Sequence, residues 1–404
     1  MFNLKLKEIK DVPSETWCTL PWQGAVVQPW GEIQPCVYID SIRADSFAKL
    51  RDLPELRELK QQLLQGEKPK VCQACWKSEG AKNTSWRQMR YDQLSDRTTI
   101  EQKSNPEYWI PDYFELYLDN ICNCKCRMCK PKWSSAWMAD YKDPKVKEIF
   151  NYSPALEQQV VRRNVVSKAL LDEMITIINK KDTETTVSLR GGEPFYSDQS
   201  YYIMEELIRK DCAHRVSINL STNGTIYDPV FMDLMSRFKK IKLGVSLDGS
   251  GKLNNYIRGT DVPSYKIYEH TRQFLKLENL YSFYISNTIQ IYNAFDNAKL
   301  KAEVYQELGF NPDVDDKCLY NPVHLKIHIL PDQLKQMIDC ESAKTSALLE
   351  HEDEVLLKKW ADWTLALDRV RHEKLEDVCP ELAPLLETSS KLPVLWKTNV
   401  KYDR

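Results

Sequence analysis

The sequence predicts an α/β protein built on a parallel, barrel-like sheet. Segments rich in alternating apolar residues are followed by amphipathic helical patterns, and this order repeats six times. Glycine is scarce, with 12 in 404 residues, yet Gly191, Gly192, Gly224 and Gly249 each follow a predicted strand. Parallel α/β barrels collect their binding sites at the carboxyl ends of the strands. We therefore expect the functional residues at that edge.

The repeats give specific element boundaries. Predicted strands are 113–119, 186–190, 215–221, 241–247, 282–291 and 324–330. Predicted helices between them are 168–179, 201–210, 228–238, 265–277 and 298–308. Before the first strand, residues 50–64 have a helical pattern. After the last strand, 331–386 is rich in helical sequence, most clearly over 349–367, and 391–404 is expected to be an extended arm.

Composition limits the class of partner and the compartment. The formal net charge of −2 gives no overall electrostatic case for nucleic acid or an anionic membrane. No apolar run approaches the ~18–20 residues needed to cross a bilayer. Met1 leads into a sequence without the apolar centre of a signal peptide. The 12 cysteines are therefore expected to be reduced thiols and metal ligands in a cytoplasm.

A loop of four closely spaced cysteines follows the first predicted strand. Cys122, Cys126 and Cys129 have the spacing C-x3-C-x2-C, with Cys124 between them. Three thiolates can hold a four-iron cubane and leave one iron open to an outside ligand, whereas structural zinc and closed electron-transfer clusters use four ligands. Zinc binding or a cysteine-rich turn is the alternative. Cys124 is expected to be a small packed residue.

The second strand ends in the segment Gly191-Gly192-Glu193-Pro194. With Met128 at the apolar position of C-x3-C-x-Φ-C, this order of motifs resembles the radical S-adenosylmethionine (radical SAM) superfamily. Three later segments extend the resemblance over about residues 110–330: 220–224, 245–249 and 286–290. The resemblance implies a partial (β/α)6 TIM-like barrel.

The resemblance also implies a reaction and a set of contacts. The open iron of a [4Fe-4S] cluster would chelate S-adenosylmethionine, whose reductive cleavage gives methionine and a 5′-deoxyadenosyl radical that abstracts hydrogen from substrate. Each single polar residue has the alternative role of satisfying backbone groups at a strand end. The implied cofactor contacts are Met128, Gly191, Gly192, Glu193, Pro194, Ser221, Asn223, Ser246, Arg258, Asn287 and Ile289.

Four further cysteines lie in the first hundred residues. A Trp30-Gly31 hairpin turn is expected to bring Cys18 and Cys36 together, and Cys72-x2-Cys75 completes a set of four ligands. This arrangement resembles the SPASM/twitch auxiliary-cluster domain, although that domain usually follows the barrel. The resemblance implies a closed [4Fe-4S] cluster that transfers an electron. A structural zinc ribbon is the alternative.

Three domains are therefore predicted: an auxiliary-cluster domain over 1–105, the barrel over 106–330 and a helical extension over 331–404. The resemblance favours oxidative modification of a peptide or protein, with a flavodoxin- or ferredoxin-type electron donor. Dehydrogenation of a carbohydrate-like small-molecule alcohol is the second candidate, and an iron–sulfur binding module without turnover is the third. Isolated cysteines are expected to be buried structural thiols, with Cys318 the first candidate for a hydrogen donor: Cys212, Cys318, Cys340 and Cys379.

Overall fold

One eight-stranded sheet organises the chain. The structure is a computed structural model that describes residues 14–80, 84–94, 99–154, 157–158, 165–351 and 353–394. The strand order is β2-β1-β3-β4-β5-β6-β7-β8, with every neighbouring pair parallel except β1 and β2. The strands are β1 Gly24–Val27, β2 Ile33–Gln34, β3 Tyr113–Tyr117, β4 Thr185–Arg190, β5 Val216–Thr222, β6 Lys240–Ser246, β7 Leu280–Ile289 and β8 Asp313–Cys318.

Helices connect the parallel strands, as the sequence predicts. The connecting helices are Lys168–Asn179, Asp198–Arg209, Pro229–Ser236, Gly251–Arg258, Ser264–Phe274 and Asn297–Leu308. Elsewhere the described residues form the helices Leu20–Gln23, Phe47–Asp52, Pro54–Leu64, Gln73–Gly80, Trp86–Leu94, Ile100–Ser104, Trp137–Asp140, Pro144–Phe150, Asp332–Lys335, Glu341–Leu348, Glu354–Arg371 and Ala383–Ser390. All five predicted connecting helices are confirmed to within about three residues.

The two faces of the sheet differ sharply in polarity. On one face, Phe114 pairs with Val187, which pairs with Ile218, and these side chains belong to the main hydrophobic core with the connecting helices. Successive side chains of a strand point to opposite faces. The other face, here called the polar face, carries the intervening residues. One row across it reads Glu115, Ser188, Asn219, Lys242 and Ser282.

The sixth predicted strand, 324–330, is wrong. These residues form two short 3₁₀ turns, Val323–Leu325 and Ile327–Ile329, and the last strand is Asp313–Cys318. The apolar residues of this segment, Leu325, Ile327, Ile329 and Leu330, are buried in a second hydrophobic core with the C-terminal helices. The strand Asp313–Cys318 is polar because it lies at the edge of the sheet, pairs only with β7 and has no fully buried side chain.

The N-terminal part adds to the same sheet. β1 pairs in parallel with β3, and the predicted hairpin is confirmed by the antiparallel pairing of β1 with β2 around Gly31, which has φ +90°. Trp17, Trp22 and Phe47 are buried in the same core cluster as the apolar face of the parallel strands. A domain boundary at residue 105 remains a prediction.

The C-terminal extension is rich in helices, as predicted, and packs in the second core together with side chains from 137–149 and 253–294. Trp360 and Trp363 of the helix Glu354–Arg371 are its largest buried side chains. The proposed extended arm lies largely outside the described residues, which end at 394. Within the described part of the chain, no helix is both long and apolar enough to cross a bilayer.

The packing of Ile329 in the second core can be tested by substitution. We expect Ile329→Ala to lower the free energy of unfolding by about 2–5 kcal/mol, because truncating a fully buried side chain leaves a cavity. Ile110→Ala is the matched control, since Ile110 is 42% exposed and Ile329 is 0% exposed. Its cost should stay below about 1 kcal/mol. Denaturant titration measures both, and equal costs would contradict the packing described here.

Candidate active site at the carboxyl edge of the sheet

The cysteine loop is held against the end of β4 by backbone hydrogen bonds. The Gly192 N–H donates to the Asp119 carbonyl at 3.0 Å, and the Glu193 N–H donates to the Ile121 carbonyl at 2.7 Å. Parallel neighbours β3 and β4 end at the same edge, so the segments that follow them meet there. The segment that leads into the cysteine loop and the segment 191–194 are therefore joined by backbone hydrogen bonds.

Both glycines are required by this close approach. Gly191 has φ +111°, and a Cβ atom on it would lie 2.6 Å from the Asp119 carbonyl oxygen. A Cβ atom on Gly192 would lie 2.0 Å from the Ile121 carbonyl oxygen. Neither distance is sterically possible without backbone movement. The sequence predicted functional residues at this edge, and the structure shows that the nearest neighbour of the glycine pair is the segment 119–121 that leads into the cysteine loop.

The three predicted ligands are close enough on the loop to act on one another electrostatically. Cys126 is buried, and Cys122 and Cys129 are partly buried. Burial raises the pKa of Cys129, and the neighbouring Cys126 and Cys122 thiolates raise it further. A hydrogen bond from Cys124 lowers the pKa of Cys122 to about 6. Cys124 is buried, as predicted for a packed residue.

A cleft of about 200 Å³ lies beside the loop. It brings together most of the predicted cofactor contacts at the ends of β4, β5 and β6. The lining residues are Cys122, Leu189, Arg190, Gly191, Gly192, Glu193, Pro194, Ser221, Thr222, Asn223, Ser246 and Arg258.

Three predicted cofactor contacts do not line this cleft. Ile289 is buried in the second hydrophobic core. The Asn287 side chain donates to Asp316 Oδ1 at 2.8 Å. Met128 packs against the second core, and its sulfur accepts a hydrogen bond from Gln290 Nε2 at 3.6 Å. A contact of any of these residues with a cofactor remains a prediction.

Glu193 links the glycine pair to β5. Its carboxylate accepts hydrogen bonds from Thr222 Oγ1 and from the Asn223 N–H, both at 2.7 Å. Burial raises the pKa of Glu193 to about 7, with a smaller contribution from the Cys122 thiolate. The Glu193 side chain thus connects the end of β4 to the end of β5 beside the cleft.

Two arginines line the cleft, and they differ in their partners. Arg258 pairs with Asp248 at 2.9 Å, and Asp248 also accepts the Thr288 N–H at 2.7 Å. The predicted carboxylate partner of a ligand is therefore already held by a protein carboxylate. The side chain of Arg190 was missed by sequence reasoning, although its position directly before the glycine pair was a usable signal.

Hydrogen bonds and ion pairs attach residues 125–127 of the cysteine loop to the helix Glu354–Arg371 and to Glu373 just after it. The fully buried Arg127 donates to Asp368 Oδ1 and Glu373 Oε2, each at 2.6 Å. Arg371 donates to Asp140 Oδ2 at 2.8 Å and to the Lys125 carbonyl at 2.6 Å. The sequence analysis did not predict these contacts of Arg127 and Arg371. The alternation of cysteine with lysine and arginine over 124–127 was their only local signal.

The N-terminal cysteines also lie near one another. Burial raises the pKa of Cys18, and the neighbouring Cys36, Cys72 and Cys75 thiolates raise it further. Within the described residues, no three His, Cys, Asp or Glu side chains are grouped closely enough to hold one metal ion. A cubane binds each thiolate through a different iron, so its four ligands can be more widely spaced. A metal ion or cluster at either group of cysteines remains a prediction.

Among the isolated cysteines, three of the four expectations are confirmed. Cys212, Cys340 and Cys379 are buried thiols. Cys318 is exposed, so the expectation of burial is wrong there. The residue is the last of β8, whose outer edge pairs with no other strand among the described residues.

No protein-family model matches this sequence, and no curated protein is significantly similar to it. Among solved structures, anSMEcpe with bound AdoMet has 16% identity and a TM-score of 0.39, covering 64% of this chain and 61% of that chain. Streptococcus suis SuiB bound to S-adenosylmethionine has 13% identity and a TM-score of 0.38, and the match covers 83% of this chain and 73% of that chain. This chain thus spans less than two thirds of the length of anSMEcpe.

Gly192 provides a test of the loop packing. We expect Gly192→Ala to lower the free energy of unfolding by about 1–3 kcal/mol, because the added methyl group forces the loop away from β4. Labelling of Cys122 by a maleimide in the metal-free protein should become faster. Gly80→Ala is the control, since its Cβ would meet nothing within 4 Å. Unchanged stability and labelling in Gly192→Ala would refute this packing.

Proposed function

We propose that this chain is a radical S-adenosylmethionine enzyme that oxidatively modifies a peptide or protein. One observation carries the proposal: Cys122 of the C-x3-C-x2-C loop and residues 191–194 of the GGEP segment line the same cleft. These motifs are separated by about sixty residues in sequence, and hydrogen bonds between their backbones bring them together. Metal binding and nucleotide binding would thereby meet at one position.

The residues present suit the proposed groups. Cys122, Cys126 and Cys129 would hold a [4Fe-4S] cluster. Burial raises the pKa of Cys126 and of Cys129, and the positive charge of Arg258 acts in the opposite direction on all three thiols. When bound, the cluster would supply the low-potential electron that cleaves S-adenosylmethionine. The electron itself would come from a flavodoxin- or ferredoxin-type donor. Around the cleft, Ser221, Asn223 and Ser246 offer polar groups for the cofactor.

We place the substrate on the polar face of the sheet, to which Arg190 of the cleft also belongs. Glu115 is buried there and accepts hydrogen bonds from Tyr113 and Tyr117 at 3.1 and 3.0 Å. The Glu115 charge also acts on Cys36 and Tyr38 of the N-terminal segment. A substrate on this face would lie within reach of both groups of cysteines. The same hydroxyl and charged side chains favour dehydrogenation of a polar small-molecule alcohol as the second candidate.

We assign the N-terminal quartet to an auxiliary [4Fe-4S] cluster with an electron-transfer role. Cys18, Cys36, Cys72 and Cys75 offer four thiols, which would complete the coordination of a cubane and leave no iron open. This assignment rests on the convergence of the thiols and on the presence of a second cluster loop in the same chain.

Anaerobic reconstitution with iron and sulfide tests the reaction. We expect 5′-deoxyadenosine and methionine to form from S-adenosylmethionine under a strong reductant, with chromatography and mass spectrometry as the measurement. Cys126→Ser should abolish 5′-deoxyadenosine and remove about four irons per chain, because a cubane with two protein ligands is not retained. Cys124→Ser is the matched control on the same loop and should retain both.

Three outcomes would reject the proposal. Zinc at the 122–129 loop would remove its redox chemistry. Equal loss of iron from Cys124→Ser and Cys126→Ser would reject the ligand assignment. A fully loaded cluster that never yields 5′-deoxyadenosine would favour an iron–sulfur binding module.

The auxiliary cluster has a separate test. Cys72→Ala with Cys75→Ala should remove about four irons per chain while 5′-deoxyadenosine formation remains measurable, because the catalytic loop keeps its own ligands. Cys212→Ala with Cys379→Ala is the control, since both are isolated buried thiols. Iron content and the electron paramagnetic resonance of the reduced protein measure the change. Zinc in the quartet, or an unchanged iron content, would show that the auxiliary-cluster assignment is wrong.

A further inference from the structure

Arg190 has a guanidinium with unused hydrogen-bonding capacity in the cleft. Its Nη1 donates to Ser221 Oγ at 3.2 Å, and within the described residues its side chain makes no other hydrogen bond or ion pair. The residue is the last of β4, is partly buried and lines the cleft. A guanidinium offers five N–H donors in a fixed planar arrangement that matches a carboxylate in a bidentate manner. Most of those donors are available here.

A chain of hydroxyl groups fixes the position of this guanidinium. Ser221 of β5 contacts Arg190 and also the Tyr284 hydroxyl at 3.0 Å. Tyr284 lies on β7, and it reaches β5 because Gly244 stands between them on β6. A Cβ atom on Gly244 would lie 2.5 Å from the Tyr284 ring. Three neighbouring strands thus contribute to holding Arg190 in place.

The two arginines of the cleft face different surroundings. The ionisable groups that act most strongly on Arg190 are Glu115, Tyr284, Tyr113 and Tyr117, all on the polar face of the sheet. By contrast, Arg258 interacts electrostatically with Cys126 and Cys124 and is paired with Asp248. A ligand group chelated beside the cysteines would therefore lie near Arg258. A group bound to Arg190 would lie towards the polar face.

We propose that Arg190 is the receptor for a carboxylate of the substrate. This inference rests on the proposed function, because it places the substrate on the polar face beside the cofactor cleft. A single guanidinium matches a singly charged carboxylate. The nearby Glu115 carboxylate repels a doubly charged phosphate about twice as strongly as it repels a singly charged carboxylate. The substrate class is therefore a carboxylate-bearing molecule, which for a peptide means an acidic side chain or the C-terminus.

A labelling experiment tests the receptor without requiring turnover. Phenylglyoxal modifies accessible guanidinium groups, and peptide mass spectrometry gives the rate at Arg190. In the reconstituted protein, butyrate should slow the modification of Arg190 at least about threefold, and isosteric butyramide should not, since only the carboxylate forms charge-assisted bonds. Sodium chloride at equal ionic strength controls for screening. Equal effects of butyrate and butyramide, or no protection by either, would overturn the proposal.

The cofactor's own carboxylate is the competing source of the same chemistry. Protein saturated with S-adenosylmethionine and protein saturated with its decarboxylated analogue are labelled in parallel. We expect equal rates at Arg190 in the two samples, and further protection of each by butyrate. Stronger protection by S-adenosylmethionine than by the decarboxylated analogue would assign Arg190 to the cofactor and overturn the substrate assignment.

A second measurement follows hydrogen transfer. Perdeuterated butyrate should pass deuterium into 5′-deoxyadenosine, whereas perdeuterated butyramide should pass at least about tenfold less. R190Q should lose the transfer from butyrate, and R190K should restore part of it, because lysine keeps the charge without the bidentate geometry. Equal transfer from the acid and the amide would contradict the proposal. If no 5′-deoxyadenosine forms at all, the proposed function fails, while the labelling result still decides the role of Arg190.

Discussion

The close backbone contact between the cysteine loop and the end of β4 is the constraint on which the candidate site depends. Only glycine at 191 and 192 allows the carbonyls of Asp119 and Ile121 to approach so closely. The resulting hydrogen bonds bring Cys122 into the cleft, and Glu193 extends the connection to β5 through Thr222 and Asn223. A loop of cysteines thereby becomes part of a rigid strand edge, as a preorganised metal site requires.

The C-terminal extension fixes the same loop from the other side. Arg127 is fully buried between aromatic rings and two carboxylates, with its guanidinium carbon 3.5 Å from the centroid of the Tyr256 ring. Removing one partner of a buried ion pair leaves an uncompensated charge, which is strongly unfavourable. The helix Glu354–Arg371 is therefore part of the site's support. This explains how the loop keeps its position although it contains no regular secondary structure beyond short turns.

Much of the sheet was predictable because the apolar periodicity and the helix-capping residues of each segment indicate the same secondary structure. Helices such as Lys168–Asn179 combine an apolar stripe with a Ser167 N-cap, and the first five predicted strands are confirmed. The sixth strand was wrong because 324–330 alternates apolar and polar residues as a strand does, while its apolar side chains are buried by the helices Glu341–Leu348 and Glu354–Arg371. Likewise, Asn287 and Ile289 lie on the expected strand, but neither lines the cleft.

By itself, the sequence determined the α/β class, most of the element order and the two cysteine groups. These follow from periodicity and spacing, which are local properties of the chain. Only the tertiary structure decided the partners of each charged group. Arg258 is paired with Asp248, whereas the Arg190 side chain makes one hydrogen bond, to Ser221, within the described residues. Pairings between residues distant in sequence depend on strand register and helix packing. No local pattern encodes them.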